Sequence, residues 1–180
     1  VILITDHSET LSKVDLIKMS NQIKQSLTTT IDLAENLINW AQSQMKGYGV
    51  VPTIFPIEEA VKEVVKSHLD TAENKGINLT YAIEGNPKIK ADKNQLTFII
   101  RNLLMNAIKF TEPDGFIKMH SHQLAENRTV LSISDSGMGM SQTFVDDIFR
   151  MDVKTSKVGT GGEKGTGLGL LLVKEFVSMN

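Results

Sequence analysis

The chain has 180 residues, 41% hydrophobic and 22% charged, with no cysteine and a formal net charge of −2. That composition is globular, which excludes a disordered tract and a fibre, and the missing cysteine excludes disulfides, zinc–thiolate centres and thiol nucleophiles. A slightly acidic balance removes the electrostatic case for nucleic acid, and no apolar run approaches the roughly 18 residues that span a bilayer. The expectation is a soluble intracellular domain without direct membrane contact; a start at Val1, with no methionine or signal peptide, suggests a piece of a larger protein.

Residues 1–4 and the polar stretch 5–12 read as the tail of a preceding element and a turn. The spacing then predicts one long helix over 13–46. Leu16, Ser20, Ile23, Leu27, Thr30, Ala34, Leu37 and Ala41 recur at alternating steps of four and three, a seam of period 3.5. Ser20 and Thr30 make that seam more like a bundle-packing surface than a zipper. Gly47-Tyr48-Gly49 ends the helix. The segment holds nothing else for the seam to bury against, so a second helix, a second chain or both are expected to cover it. The chain divides here, into 1–47 and 50–180.

Beyond residue 50 the period switches back and forth. Ile57, Ala60, Val61, Val64, Val65, Leu69 and Ala72 form a helical stripe over 57–74. Ile77, Leu79, Tyr81 and Ile83 alternate with polar or small residues, a half-buried strand. Asp92 is placed to cap a helix through Phe110. Residues 116–123 and 129–134 read as a β-hairpin, and a last helix runs over 168–179. Helices and strands in mixed order with a hairpin argue for an α+β, two-layer α/β sandwich with helices on one face of the sheet.

Between residues 137 and 169 the chain becomes rich in glycine. The Walker pattern fails, because the order is Lys164-Gly165-Thr166, and no glycine triplet has the dinucleotide spacing. Gly165-Thr166-Gly167-Leu168-Gly169-Leu170 nevertheless opens into an apolar helix, where close backbone approach and a helix N-terminus suit phosphate; a flexible loop is the plainer reading. Asn102, Asn106 and Lys109 share one helix face, which alone could be a solvated stripe. Asp135-Ser136-Gly137-Met138-Gly139 leaves a strand into a glycine turn, and there Asp135 could accept from an exocyclic amine or simply start the turn. Ile148-Phe149 follows, otherwise a buried loop anchor.

In this order the clusters resemble the sensor histidine kinases of two-component systems. Asn102 to Thr111 looks like their N box, Asp135 to Met140 like the first glycine box, Ile148-Phe149 like the F box, and Gly165 to Leu170 like the second glycine box. The resemblance covers about residues 50–180. Less specifically, the helix over 13–46 resembles the second helix of the dimerisation and histidine-phosphotransfer domain.

The resemblance implies the ATP-binding sandwich that histidine kinases share with gyrase, mismatch-repair proteins and heat-shock chaperones of the ninety-kilodalton class, here preceded by a long dimerisation helix. It implies ATP and Mg²⁺ as cofactors, a homodimer through the N-terminal helix, and a response-regulator receiver domain as partner. Asn106 would hold Mg²⁺ through its side-chain oxygen, Lys109 would neutralise phosphate, and Asn102 would hydrogen-bond near the metal. Asp135 would receive the adenine amino group, with Gly137, Gly139 and Ile148 around the purine, and Phe110 would also belong to the ATP site. Residues 150–164 would be the ATP lid, with Lys157 and Thr160 on the nucleotide and Lys154 and Lys164 as looser candidates. Gly165, Thr166, Gly167, Leu168 and Gly169 would face the phosphates. Hydrolytic members of the superfamily carry a glutamate four residues before the metal-binding asparagine. Here that residue is Asn102, which takes no proton at neutral pH, and this favours kinase over ATPase. A degenerate, non-catalytic nucleotide-binding scaffold is the alternative.

Two features depart from the pattern. Family members phosphorylate a histidine followed by an acidic residue and soon by a proline, and none of His7, His68, His120 and His122 has that setting. His120 and His122 share a strand face without a third metal ligand nearby. Members also continue past Met179-Asn180 with a glycine and two more strands, so an uncovered sheet edge is expected.

Overall fold

The structure is a computed structural model and describes residues 12–44, 50–124, 128–150, 157–163, 165 and 167–180. Helix α1 (Lys13–Gln44) begins at Ser12, whose Oγ accepts from the Asp15 N–H at 3.2 Å and donates to the Asp15 carboxylate at 2.7 Å. Such a reciprocal cap satisfies donors that a helix start otherwise leaves open. Thr30, a polar position of the seam, turns its hydroxyl onto the Ser26 carbonyl of its own helix at 2.9 Å. Leu16, Leu27 and Leu37 of the seam stay exposed. The Gly47 terminator and residues 1–11 lie outside the described residues.

The remaining elements follow as β1 (Thr53–Pro56), α2 (Ile57–Asn74), β2 (Asn78–Ile83), β3 (Lys88–Ala91), α3 (Lys93–Phe110), β4 (Phe116–Leu124), β5 (Arg128–Asp135), α4 (Gln142–Asp147) and α5 (Gly169–Met179). The expected two-layer sandwich is present. Its main sheet has the order β2-β4-β5, with β2 parallel to β4 (Leu79 opposite Ile117) and β5 antiparallel to it (Met119 opposite Ile133). Helices α2 and α3 cover one face. Ile117 and Met119 of the central strand are fully buried with Val61 and Val64 from α2 and Ile100 and Leu104 from α3. Burying each such side chain contributes about 1.5–3 kcal/mol.

Three short elements escape the sequence pattern. β1 and β3 pair antiparallel as a separate two-stranded sheet, Thr53 opposite Ala91 through Pro56 opposite Lys88. Each has four residues, too few for a period to show, and proline at 56 cannot donate to a ladder. α4 is a single turn and a half, capped by Ser141, whose Oγ accepts from the Phe144 N–H at 3.3 Å.

α3 is the spine of the molecule. Asp92 caps it as expected, its Oδ1 accepting from the N–H groups of Asn94 and Gln95 and its Oδ2 from Val51 at 3.0 Å. A second apolar cluster joins α3 to α5 through Phe98, Ile99, Leu172, Val173 and Phe176, with the Phe98 and Phe176 rings edge-to-face at 5.1 Å. Asn180 ties the end of α5 to the start of α3: its Nδ2 donates to Gln95 Oε1 at 2.6 Å and its Oδ1 accepts from Asp92 N–H at 2.8 Å. α1 lies against α5, its Asn36 is buried, and its Glu35 pairs with Arg101 of α3 at 2.9 Å.

Candidate functional site

The C-terminal half of α3 carries Asn102, Asn106 and Lys109, all half-buried and on the face away from Leu104, Ala107 and Ile108. Steps of four and three along a helix place side chains in one row, so the shared face expected from spacing follows from the fold. Asn102 donates from Nδ2 to the Phe98 carbonyl at 3.0 Å, and its Oδ1 lies directly against the backbone of Gly169. The Asn106 side chain makes no hydrogen bond to a described residue.

Three glycine segments close on this half-helix, and each approaches too closely to carry a side chain. A Cβ on Gly137 would sit 2.5 Å from the Phe110 carbonyl oxygen and 2.7 Å from Asp135 Oδ1. One on Gly159 would meet Lys109 Cγ at 2.5 Å, and one on Gly169 would run into Asn102. Backbone, rather than side chains, therefore packs against α3 at these three points. All three glycines fall within residues 137–169, downstream of α3, and α3 is what gathers them.

The turn after β5 is locked by short-range bonds. Asp135 Oδ1 accepts from the Gly137 N–H at 2.9 Å, and the Met138 N–H donates to the Phe110 carbonyl at 3.2 Å. Ser136 stitches the same turn to β4, its Oγ accepting from the Phe116 N–H at 2.9 Å. Asp135 itself is exposed, and its second carboxylate oxygen has no partner among the described residues. Ile148 follows α4 and is half-buried, while Phe149 is exposed. Lys157 stacks its ammonium over the Phe144 ring at 4.0 Å.

Residues 157–163 return to the end of α3. The Thr160 N–H donates to the Lys109 carbonyl at 3.0 Å, and its hydroxyl is shared between the carbonyls of Lys109 and Thr111. Thr160 is thus turned inward onto the helix end. Glu163 carries out much of the local organisation. Its carboxylate accepts from Lys75 Nζ and from the Gly161 N–H, both at 2.8 Å. Burial pushes the Glu163 carboxyl upward, the largest single influence, yet the bonds from Lys75 and from the N–H groups of Glu163 and Gly161, with the charge of Lys75, together hold it below the usual range. Burial lowers the Lys109 ammonium from its ordinary value, and attraction to Glu163 offsets part of that.

Nothing in the local pattern announced Lys75 or Glu163. Lys75 directly follows α2, where a lysine reads as an ordinary solvated residue, and its partner is 88 positions away. Of the other expected site residues, Gly139 lies in the turn after Asp135, while Gly165, Gly167 and Leu168 stand at the entrance to α5. Lys154, Lys164 and Thr166 lie outside the described residues. Among the described residues no group of three or more His, Asp or Glu is placed to hold a metal ion. His120 and His122 stack at 6.4 Å on one strand face, without further ligands.

A mixed sheet under two helices, with glycine turns gathered on one polar helix face, defines an ATPase-type α/β sandwich. The chain belongs to the family of histidine kinase-, DNA gyrase B- and HSP90-like ATPases, whose sequence profile matches residues 91–180. Within that family its relatives are sensor kinases. It is 27% identical over 176 residues to the autoinducer 2 sensor kinase/phosphatase LuxQ of Vibrio parahaemolyticus, covering 92% of this chain and 20% of LuxQ. It is 29% identical to the sensor histidine kinase TmoS of Ectopseudomonas mendocina, covering 88% of this chain and 16% of that protein. The sensor protein SrrB of Staphylococcus aureus is 26% identical, with 87% of this chain and 28% of SrrB covered. The chain therefore spans between 16% and 28% of the length of these relatives.

Solved structures carry the same fold. Full-length ShkA, solved in complex with AMPPNP, superposes with a TM-score of 0.70 at 23% identity, covering 96% of this chain and 35% of that one. The Acinetobacter baumannii histidine kinase AdeS gives a TM-score of 0.64 at 20% identity, with 98% and 78% covered. Fold, family profile and relatives agree on an ATPase-family domain of the kind that sensor histidine kinases carry.

Proposed function

We propose that residues 50–180 bind Mg-ATP and transfer its γ-phosphoryl group to a histidine outside this chain, and that the α1 segment pairs two copies through its exposed seam. One observation carries the reading: three glycines of the stretch 137–169 dock backbone-close on Asn102, Lys109 and Phe110 of one helix half. That arrangement leaves polar side chains of α3 at the floor and brings the N-terminal turn of α5, at Gly169, beside Asn102, which suits a polyphosphate.

The chain's own residues have separable tasks. Asp135 accepts the amino group of adenine, in a turn already held by the Gly137 N–H. Gly137 and Gly139 let the purine approach the backbone, with Ile148 as an apolar neighbour. Lys109 opposes phosphate charge, and its partial burial strengthens that effect by excluding water. Asn106 fits a magnesium ligand: its carboxamide oxygen is a hard donor, and its side chain is engaged by no described residue. Bound magnesium would neutralise phosphate charge. Asn102, fixed on Phe98 and against Gly169, supplies no base, so water is not activated there and transfer rests on positioning and charge.

The acceptor histidine belongs to another segment. His68 turns its Nδ1 toward its own helix, 2.9 Å from the Val64 carbonyl, and His120 and His122 stand on the sheet. A response-regulator receiver domain is the downstream partner, in line with the solved complex of the kinase ThkA with the response regulator protein TrrA. None of the described helices is long and apolar enough to cross a membrane; the cytoplasmic location we propose follows from the need for ATP and for a receiver-domain partner.

Calorimetry of Mg-ATP binding, run beside transfer of labelled γ-phosphate to an added phosphotransfer domain, tests the assignment. Asp135→Asn loses a charge-assisted hydrogen bond and should weaken binding about tenfold to a hundredfold without unfolding. Unchanged affinity in folded protein refutes the adenine contact. Binding without transfer would identify a nucleotide-binding scaffold instead.

A further inference from the structure

Lys75 lies outside every sequence motif, and the Glu163 that it meets sits in the expected lid, two residues before the second glycine box. Lys75 has three ammonium protons and three acceptors: the Ile108 carbonyl at 2.7 Å, the Lys109 carbonyl at 3.0 Å and Glu163 Oε1 at 2.8 Å. Two of these are carbonyls in the last turn of α3, where a cation also meets the negative end of the helix dipole. The third is the carboxylate that organises residues 159–163. Around it the Gly161 N–H donates to Oε2, the Gly159 N–H to the Glu163 carbonyl at 2.8 Å, and the Gly162 N–H to the Gly159 carbonyl at 3.0 Å. The folded-up segment then delivers Thr160 to the Lys109 carbonyl and the backbone of Gly159 to Lys109 Cγ. Both main chain and side chain of Lys109 are therefore held by a unit whose keystone is one ion pair. Its side chains are only 15% and 32% exposed, so solvent weakens it less than a surface pair.

We propose that Lys75 and Glu163 are positioning residues of the nucleotide site, pinning residues 159–163 onto the end of α3 and thereby setting the place of Lys109 for the phosphates. The assignment rests on the nucleotide reading above, and it predicts that damage to the pair is felt at the phosphate end of the ligand and not at adenine. A mere cap of α3 would act on stability alone.

The test compares Glu163→Ala with Glu163→Gln. Both remove the same charge, so their effect on a triphosphate through long-range repulsion is equal; the carboxylate meets Lys75 with Oε1 and the Gly161 N–H with Oε2, and only glutamine keeps one acceptor oxygen, which the Lys75 ammonium takes. Hydrogen exchange on the nucleotide-free chain should show the amides of Thr160 and Gly162, bonded to the Lys109 and Gly159 carbonyls, opening at least about tenfold faster in Glu163→Ala than in Glu163→Gln, with the amides of α3 before Lys109 unchanged. AMPPNP with Mg²⁺ should bind more weakly to Glu163→Ala than to Glu163→Gln by about threefold to tenfold, while adenosine binds both alike. Circular dichroism confirms that both variants fold. Equal exchange in the two variants, or faster exchange with equal AMPPNP affinity, overturns the proposal. A wild-type chain that binds AMPPNP not at all overturns the nucleotide reading itself and this assignment with it, a result visible before any variant is made.

Discussion

Replacing Gly137 with alanine tests whether the turn after β5 is truly seated on α3. With the backbone held, the new methyl would lie 2.5 Å from the Phe110 carbonyl oxygen and 2.7 Å from Asp135 Oδ1, both well inside contact distance. Keeping that clash costs toward the upper end of the range of about 1–3 kcal/mol known for overpacking. The alternative is for the turn to lift, giving up the Gly137 N–H bond to Asp135 and the Met138 N–H bond to Phe110. Two such bonds are worth about 0.5–1.5 kcal/mol each. The turn is largely exposed and free to move outward, so the cheaper route decides, and the expected loss is about 2 kcal/mol. For a chain of this size that lowers the melting temperature by roughly 4–8 °C, readable by thermal and urea denaturation. Because Asp135 moves with the turn, Mg-ATP binding should weaken as well. A Gly137→Ala protein within about 1 °C of wild type and with full affinity would refute the docking geometry.

Two further outcomes follow from the same contacts. Asp92→Ala removes the acceptor for Asn94, Gln95 and Val51, and should cost about 1–2 kcal/mol in urea unfolding, with Asp92→Asn recovering part; no loss would mean that α3 needs no cap. Glu163 is held below its ordinary value of 4.5, so the folded state favours its ionised form. Its stabilising contribution is therefore complete above pH 4.5 and disappears as pH falls through the lower folded value, and the stability gap between wild type and Glu163→Gln should close in that acidic window. A gap that persists unchanged to the lowest pH at which both fold contradicts the ion pair.

How much of this was legible depended on whether a signal was local. The α2 stripe, the β2 alternation, the Asp92 cap and the β4–β5 hairpin each declare themselves within one element, because side-chain period and capping chemistry are local properties. The face of α3 that holds Asn102, Asn106 and Lys109 was readable for the same reason, as was Asp135 at a strand end. β1, β3 and α4 were not, since four to six residues are too few to establish a period and their pairing partners lie far off in the chain. Tertiary structure alone decided that Gly137, Gly159 and Gly169 converge on one helix half, that Thr160 turns inward, and that Lys75 finds Glu163. Sequence spacing specifies what a segment forms and which face it presents; which distant segment meets that face is settled only when the core of α2, α3 and the central strand closes and brings their ends together.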